Sequence, residues 1–123
     1  MDNIIQQISE KLTKKILEKA YSGGICDIDL LSSSVLEDCK SAARDILEAI
    51  VSDLNIKIRE DKPSRKARGL ILKEKNRERS LLTEIGRLNL PRDYYYDKKE
   101  EKYDYLLDRV IGLQGYERIS AGV

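Results

Sequence analysis

Residues 77–109 read "RERSLLTEIGRLNLPRDYYYDKKEEKYDYLLDR", and here the chain passes from a helical to a strand-like period. Arg79 to Ile85 and Arg87 to Tyr96 read as two strands joined by a tight turn at Ile85-Gly86. Gly86 supplies the positive φ of a type II turn or glycine bulge at little steric cost. Along the second strand Leu88, Leu90, Arg92, Tyr94 and Tyr96 fall on one face, and Arg87, Asn89, Pro91, Asp93 and Tyr95 on the other, because successive side chains alternate. The first set is the apolar, core-facing side. Pro91 lacks the N–H for a ladder and marks an edge strand or a bulge. Residues 97–102 form a charged turn and Tyr103-Asp104-Tyr105-Leu106 the returning strand. Leu107 to Ile111 make a short helical turn ended by Gly112, and Leu70-Ile71-Leu72 is a further short strand.

Upstream the period is helical. Ile5, Ile8, Leu12, Ile16 and Ala20 recur at three- and four-residue steps, predicting a helix over 4–20 that stops at Ser22-Gly23-Gly24. Leu36, Cys39, Ala43, Ile46, Ile50 and Leu54 predict a second helix over 34–59. Ser34 and Glu37 have capping-box spacing, and Asp29 is an alternative start. That helix is longer than one small core covers, so its stripe packs against helix one or meets a partner chain. Both readings stay open. Pro63 breaks the pattern, making residues 61–66 a loop or joint. The expected fold class is α+β: an N-terminal helical pair with a long second helix, then a small antiparallel β-meander and a short C-terminal helical turn. Residues 1–61 are the helical region and 62–123 the basic joint and meander, together one domain.

Composition narrows the function classes. The 123 residues are 41% hydrophobic and 37% charged, which fits a folded soluble chain. There is no run of 18 apolar residues and no basic leader into an apolar stretch, so a cytoplasmic protein without membrane contact is expected. Histidine is absent, and the two cysteines, Cys26 and Cys39, form no zinc-ligand pattern. The commonest general base is therefore missing. Asp27 with Asp29, and Glu100 with Glu101, are local pairs in predicted loops, whereas metal-dependent phosphoryl chemistry needs carboxylates converging from separate elements. Gly23-Gly24 lacks the Lys-Ser/Thr of a phosphate loop. No catalytic residue, metal site, cofactor or small-molecule ligand is indicated.

The net charge of +1 is unevenly spread, residues 56–79 carrying 10 basic and 4 acidic groups. Lys62, Arg65, Lys66, Arg68, Lys73, Lys75, Arg77 and Arg79, with Arg87 and Arg92 on the hairpin, are the candidate DNA-binding residues. Such cations neutralise phosphates, and a two-stranded ribbon carrying arginines can enter a major groove. An ordinary solvated surface has the same composition. Tyr94, Tyr95, Tyr96, Tyr103 and Tyr105 can stack on unpaired bases, or pair with one another across strands.

Residues 79–120 carry a longer pattern: Thr83 and Gly86, Arg92, Tyr94-Tyr95, Leu106-Leu107-Asp108, Gly112, then Tyr116-Glu117-Arg118-Ile119-Ser120. In this order the sequence resembles the N-terminal region of transposases of the ISLre2 insertion-sequence family, also grouped as the uncharacterised UPF0236 family. The helical first half is similar in character only. The resemblance implies a longer parent with an RNase H-like, metal-dependent catalytic portion, expected to begin about where Ala121-Gly122-Val123 end this chain. It implies a non-catalytic accessory domain that binds DNA at transposon ends. The alternative is self-association or protein interaction through helices 4–20 and 34–59, without DNA. Thr83, Gly86 and Arg92 are read first as turn and strand determinants, and Arg92 alone has a second use at a phosphate or a guanine edge.

Overall fold

The computed structural model describes residues 2–22 and 27–113. Helix α1 (Asp2–Tyr21) leads to α2 (Ile28–Glu60), α3 (Lys62–Ala67), strands β1 (Leu70–Thr83), β2 (Gly86–Asp97) and β3 (Lys102–Asp104), and α4 (Leu106–Val110). The three strands form an antiparallel meander in the order β1-β2-β3. The protein is thus α+β, with long helices first, a small sheet next and a short helix last.

Helix α2 runs for 33 residues, roughly 50 Å at 1.5 Å per residue. Its cap is Asp27, earlier than either Ser34 or Asp29. The Asp27 carboxylate accepts the Asp29 N–H at 2.8 Å, satisfying one of the donors that every helix start leaves free. Different faces of α2 take different partners. Toward α1 it presents Asp38, Ser41 and Ala42, and Lys19 bridges to Asp38 at 2.8 Å. Toward the sheet it presents Arg44, Glu48, Val51, Asn55 and Arg59. Leu36, Leu47 and Ile50, part of the predicted apolar stripe, stay exposed.

Pro63 opens a helix where a joint was expected. It lies in the first turn of α3, where a missing N–H removes no hydrogen bond and the fixed φ suits the helix. Asp61 caps this helix through the Ser64 N–H at 3.4 Å.

The two strands expected over 70–72 and 79–85 are one. Strand β1 continues for 14 residues, with register slips between Leu72 and Glu74 and between Glu74 and Arg77. The hairpin loop is Glu84-Ile85, since Thr83 pairs with Gly86. Gly86 opens β2 with φ +110, and a Cβ there would stand 2.8 Å from Arg44 Nη1. Arg44 in turn donates to the Ile85 carbonyl at 2.6 Å, and the Thr83 hydroxyl donates to the Gly86 carbonyl at 2.8 Å. Glycine is favoured by the backbone angle, and a side chain there would also have to displace the arginine that docks α2 on the turn.

The slips re-aim the sheet. In the hairpin half, Leu81, Leu88 and Leu90 are buried against Val51 of α2, with Leu107 and Leu113 closing the cluster. In the other half Tyr95, Leu70 and Leu106 are buried together beside Ile58. The inward face of β2 therefore changes from even to odd positions around Arg92 and Asp93, both buried in succession. Unbroken alternation over 88–96 was expected, and extra residues in β1 overturn it, because a bulge bends and twists the strand pair. Asp93 and Tyr95, read as outward, are 0% and 1% exposed.

Candidate nucleic-acid interface

The ten candidate cations divide by what surrounds them. Arg79 and Arg92 are withdrawn from the surface by Asp108 of α4. Arg92 donates to its carboxylate at 2.7 Å, Arg79 stands 3.6 Å away, and all three side chains are 11% exposed. The Arg92 guanidinium carbon also lies 3.6 Å from the Tyr105 ring centroid, a cation–π contact. Burial pushes the Asp108 carboxyl above its usual value despite the pull of Arg92 and Arg79. Neither arginine is free for a phosphate or a base edge, which corrects their place among the DNA-binding candidates. The reason lies in chain topology, since α4 brings a carboxylate that nothing in the strand sequence announces.

Arg65 is also engaged. Its Nε donates to the Arg59 carbonyl at 3.1 Å, and its guanidinium lies 5.8 Å from the Tyr95 ring centroid. Arg87 is exposed, but at the hairpin end, roughly 40 Å along β1 from its start at 3.3 Å per residue.

What remains gathers at the opposite end. Lys62, Lys66 and Arg68 are exposed on and just after α3. Gly69, at φ +70, turns the chain into β1. There the turn between β2 and β3 is fastened to it: the Lys98 N–H donates to the Gly69 carbonyl at 2.9 Å, and Lys99 Nζ to the Ala67 carbonyl at 2.8 Å. Asp97 accepts the N–H groups of Lys99 and Glu100 at 2.9 and 3.1 Å, fixing the turn. Lys98 thereby joins Lys62, Arg65 and Lys66 around an open concavity of about 310 Å³ floored by Leu70 and Ile71. Nothing local marks Lys98, which lies in a mixed-charge turn; only the antiparallel return of β2 carries it to α3.

Lys73, Lys75 and Arg77 are exposed on β1. Lys73 stands 6.0 Å from the Tyr96 ring and Arg77 4.6 Å from the Tyr94 ring, while Arg77 also pairs with Glu74 at 3.1 Å. Tyr96 is paired in register with Tyr103. The tyrosines thus contact one another across strands, as their spacing allowed.

Beneath this surface lies a polar cluster that sequence reasoning missed. Asp93 binds Arg59 through Nε at 2.6 Å and Nη2 at 2.9 Å, the Asn76 N–H at 2.9 Å and the Asn55 amide at 3.0 Å. Asn76 sits at φ +54, a left-handed angle asparagine tolerates better than most residues. Burial alone would raise the Asp93 carboxyl, but the donors from Arg59, Asn76 and Asn55 outweigh it and hold it below the usual carboxylate range. The Tyr95 hydroxyl, 3.4 Å from the same carboxylate, is pushed up to about 12 by burial and by the Asp93 charge.

The residue pattern Thr83, Gly86, Arg92, Tyr94, Tyr95, Leu106, Leu107, Asp108 and Gly112 lies within this folded unit, at the turn, the arginine–aspartate pair and the core. Tyr116, Arg118 and Ser120 lie outside the described residues. The uncharacterised protein family UPF0236 matches residues 24–123. This chain belongs to UPF0236. A UPF0236 protein of Caldanaerobacter subterraneus subsp. tengcongensis is 29% identical over 125 residues, covering 99% of this chain and 26% of that relative. Another from the same organism is 31% identical over 97 residues, covering 79% of this chain and 20% of the relative. The chain thus spans about a quarter or less of the UPF0236 proteins it is similar to. No solved structure matches it. Among the described residues no group of three or more acidic, histidine or cysteine side chains could hold a metal ion, and no helix is long and apolar enough to cross a membrane.

Proposed function

We propose that this chain is a non-catalytic DNA-binding region of a transposase-like protein, contacting duplex DNA at the ends of a mobile element through Lys62, Lys66, Arg68 and Lys98. The observation that carries the reading is the fastening of the 97–102 turn to the end of α3, which concentrates cations from two distant segments. Asp61 and Asp97, on the same two segments, accept backbone N–H groups, Asp61 from Ser64 and Asp97 from Lys99 and Glu100, so they hold the local turns and form no ion pair with these cations. The ordered resemblance over residues 79–120 supports the transposase assignment, and catalysis belongs in this reading to the remainder of the longer protein.

The wild-type chain is expected to bind duplex DNA at low salt, with an affinity that falls as a power of salt concentration. Each phosphate contact contributes about 0.9 to that slope. Changing Lys62, Lys66, Arg68 and Lys98 to Glu should abolish retention and leave the melting curve in place, because all four are exposed. Retention equal to wild type in this quadruple variant would sink the assignment.

The outer stripe of α2 favours a second reading, self-association without DNA. Leu36, Leu47 and Ile50 are 54%, 38% and 36% exposed at helical spacing, away from both packed faces. On this reading sedimentation equilibrium gives a dimer, and Leu36→Glu with Ile50→Glu gives a monomer of unchanged helicity. A wild-type chain that stays monomeric at high concentration removes it.

A further inference from the structure

The sheet carries a second surface on the side opposite Asp93 and Tyr95. Four tyrosine rings meet there. Tyr94 and Tyr103 are stacked, 9° from parallel with centroids 5.1 Å apart. Tyr96 meets Tyr103 at 5.0 Å and Tyr94 meets Tyr105 at 4.8 Å, both tilted. Cations flank the row, Lys73 beside Tyr96 and Arg77 beside Tyr94. Tyr103 lies on β3, the three-residue edge strand, and is 55% exposed.

An exposed tyrosine alone needs no explanation. This one extends a preformed stack, held by its neighbours, with Lys73 and Arg77 on either side of the row. Orienting a ring in advance removes much of the entropy lost when a partner stacks on it. A flat π-system that brings negative charge within reach of Lys73 and Arg77 matches the surface. Bases of an unpaired strand have this form, whereas those of a closed duplex are already covered on both faces.

We infer that the tyrosine face binds single-stranded DNA, one base stacking on Tyr103 while Lys73 and Arg77 take the adjacent phosphates. The inference rests on the DNA-binding reading for the continuity of charge. Lys98, in the proposed duplex contact, and Tyr103 stand on either side of the one short turn between β2 and β3. A strand separating from a duplex held at α3 would pass along that turn onto the tyrosines.

The test is fluorescence anisotropy with labelled oligothymidylate and with a blunt duplex of equal length, for the wild type, Tyr103→Leu, Tyr103→Phe and the quadruple glutamate variant above. Stacking on an aromatic side chain is worth about 1–3 kcal/mol per base, so Tyr103→Leu should weaken oligothymidylate binding about tenfold while leaving duplex binding unchanged. Tyr103→Phe, which keeps the ring, should bind like wild type. Equal oligothymidylate affinity for wild type and Tyr103→Leu overturns the inference, as does no binding of oligothymidylate by the wild type. Duplex binding that survives in the quadruple variant, beside a tenfold loss in Tyr103→Leu, removes the duplex contact and leaves the single-strand face standing.

Discussion

Asp93→Ala is expected to lower the unfolding free energy by about 3–5 kcal/mol, the range found when one partner of a buried ion pair is removed. The carboxylate is fully buried and accepts from Arg59, Asn76 and Asn55, while its own N–H donates to the Asn55 side chain at 2.9 Å. Removing it leaves the charge of Arg59, whose side chain is 19% exposed, with the Asn76 side-chain oxygen as its remaining acceptor in the cluster, and leaves the Asn76 N–H without its acceptor. Asp93→Asn, which keeps one oxygen, should lose less. Urea denaturation followed by circular dichroism checks both. A loss below about 1 kcal/mol for Asp93→Ala, the worth of an ordinary hydrogen bond, would show that the cluster does not anchor α2 to the sheet.

The same carboxylate sets part of the acid limb. Its folded pKa is depressed, so its contribution is complete above the unfolded aspartate value of about 3.9 and disappears as pH falls through the lower folded value. Asp108 acts in the opposite sense. Its folded pKa is raised by burial, so protonation favours the native state as pH falls toward the unfolded value. Stability of the wild type should therefore fall most steeply below about pH 4, and Asp93→Ala should flatten that limb.

The difference between what the sequence announces and what it conceals follows from how polar groups are buried. Helix α1 was legible from Ile5 to Ala20 because an apolar stripe has one simple use. Gly86 was legible because few residues accept its backbone angle. The sheet-facing side of α2 was not, since Arg44, Glu48, Asn55 and Arg59 have the composition of a solvated face. Glu48 accepts the Asn89 N–H at 2.6 Å, Arg44 holds the hairpin turn, and Asn55 and Arg59 hold Asp93, yet none of these partners is near in sequence. Leu36, Leu47 and Ile50, the part of the apolar stripe whose partner the sequence leaves open, are exposed. A similar blindness affected Arg92, whose charge and place in a strand suggested a contact with DNA until α4 supplied Asp108. Of the proposed interface, Lys62, Lys66 and Arg68 were readable as a local cluster. Lys98 was not, because its relation to them exists only through the pairing of β2 with β1.

Leu107→Ala should destabilise the protein by about 2–5 kcal/mol, the usual range for truncating a fully buried leucine. Leu107 is 1% exposed and packs with Val51, Leu81, Leu88, Leu90 and Leu113, so it joins α4 to α2 and both long strands. Helix α4 has five residues and no side-chain cap at its start, far below the length at which a helix persists unaided. Its attachment depends on Leu106 and Leu107 in the core and on Asp108 beside Arg92. Loss of Leu107 should thus weaken the Asp108 pairing too, placing the effect toward the upper part of that range. Val110→Ala on the same helix, at a position 58% exposed, should change stability by no more than about 0.5 kcal/mol. Urea midpoints and slopes measured together separate two mechanisms. A lower midpoint with an unchanged slope means α4 unfolds with the rest, whereas a lower slope means the helix is already detached in the variant's native state. Equal effects at Leu107 and Val110 would remove α4 from the core, and with it the account of why Arg79 and Arg92 are unavailable to DNA.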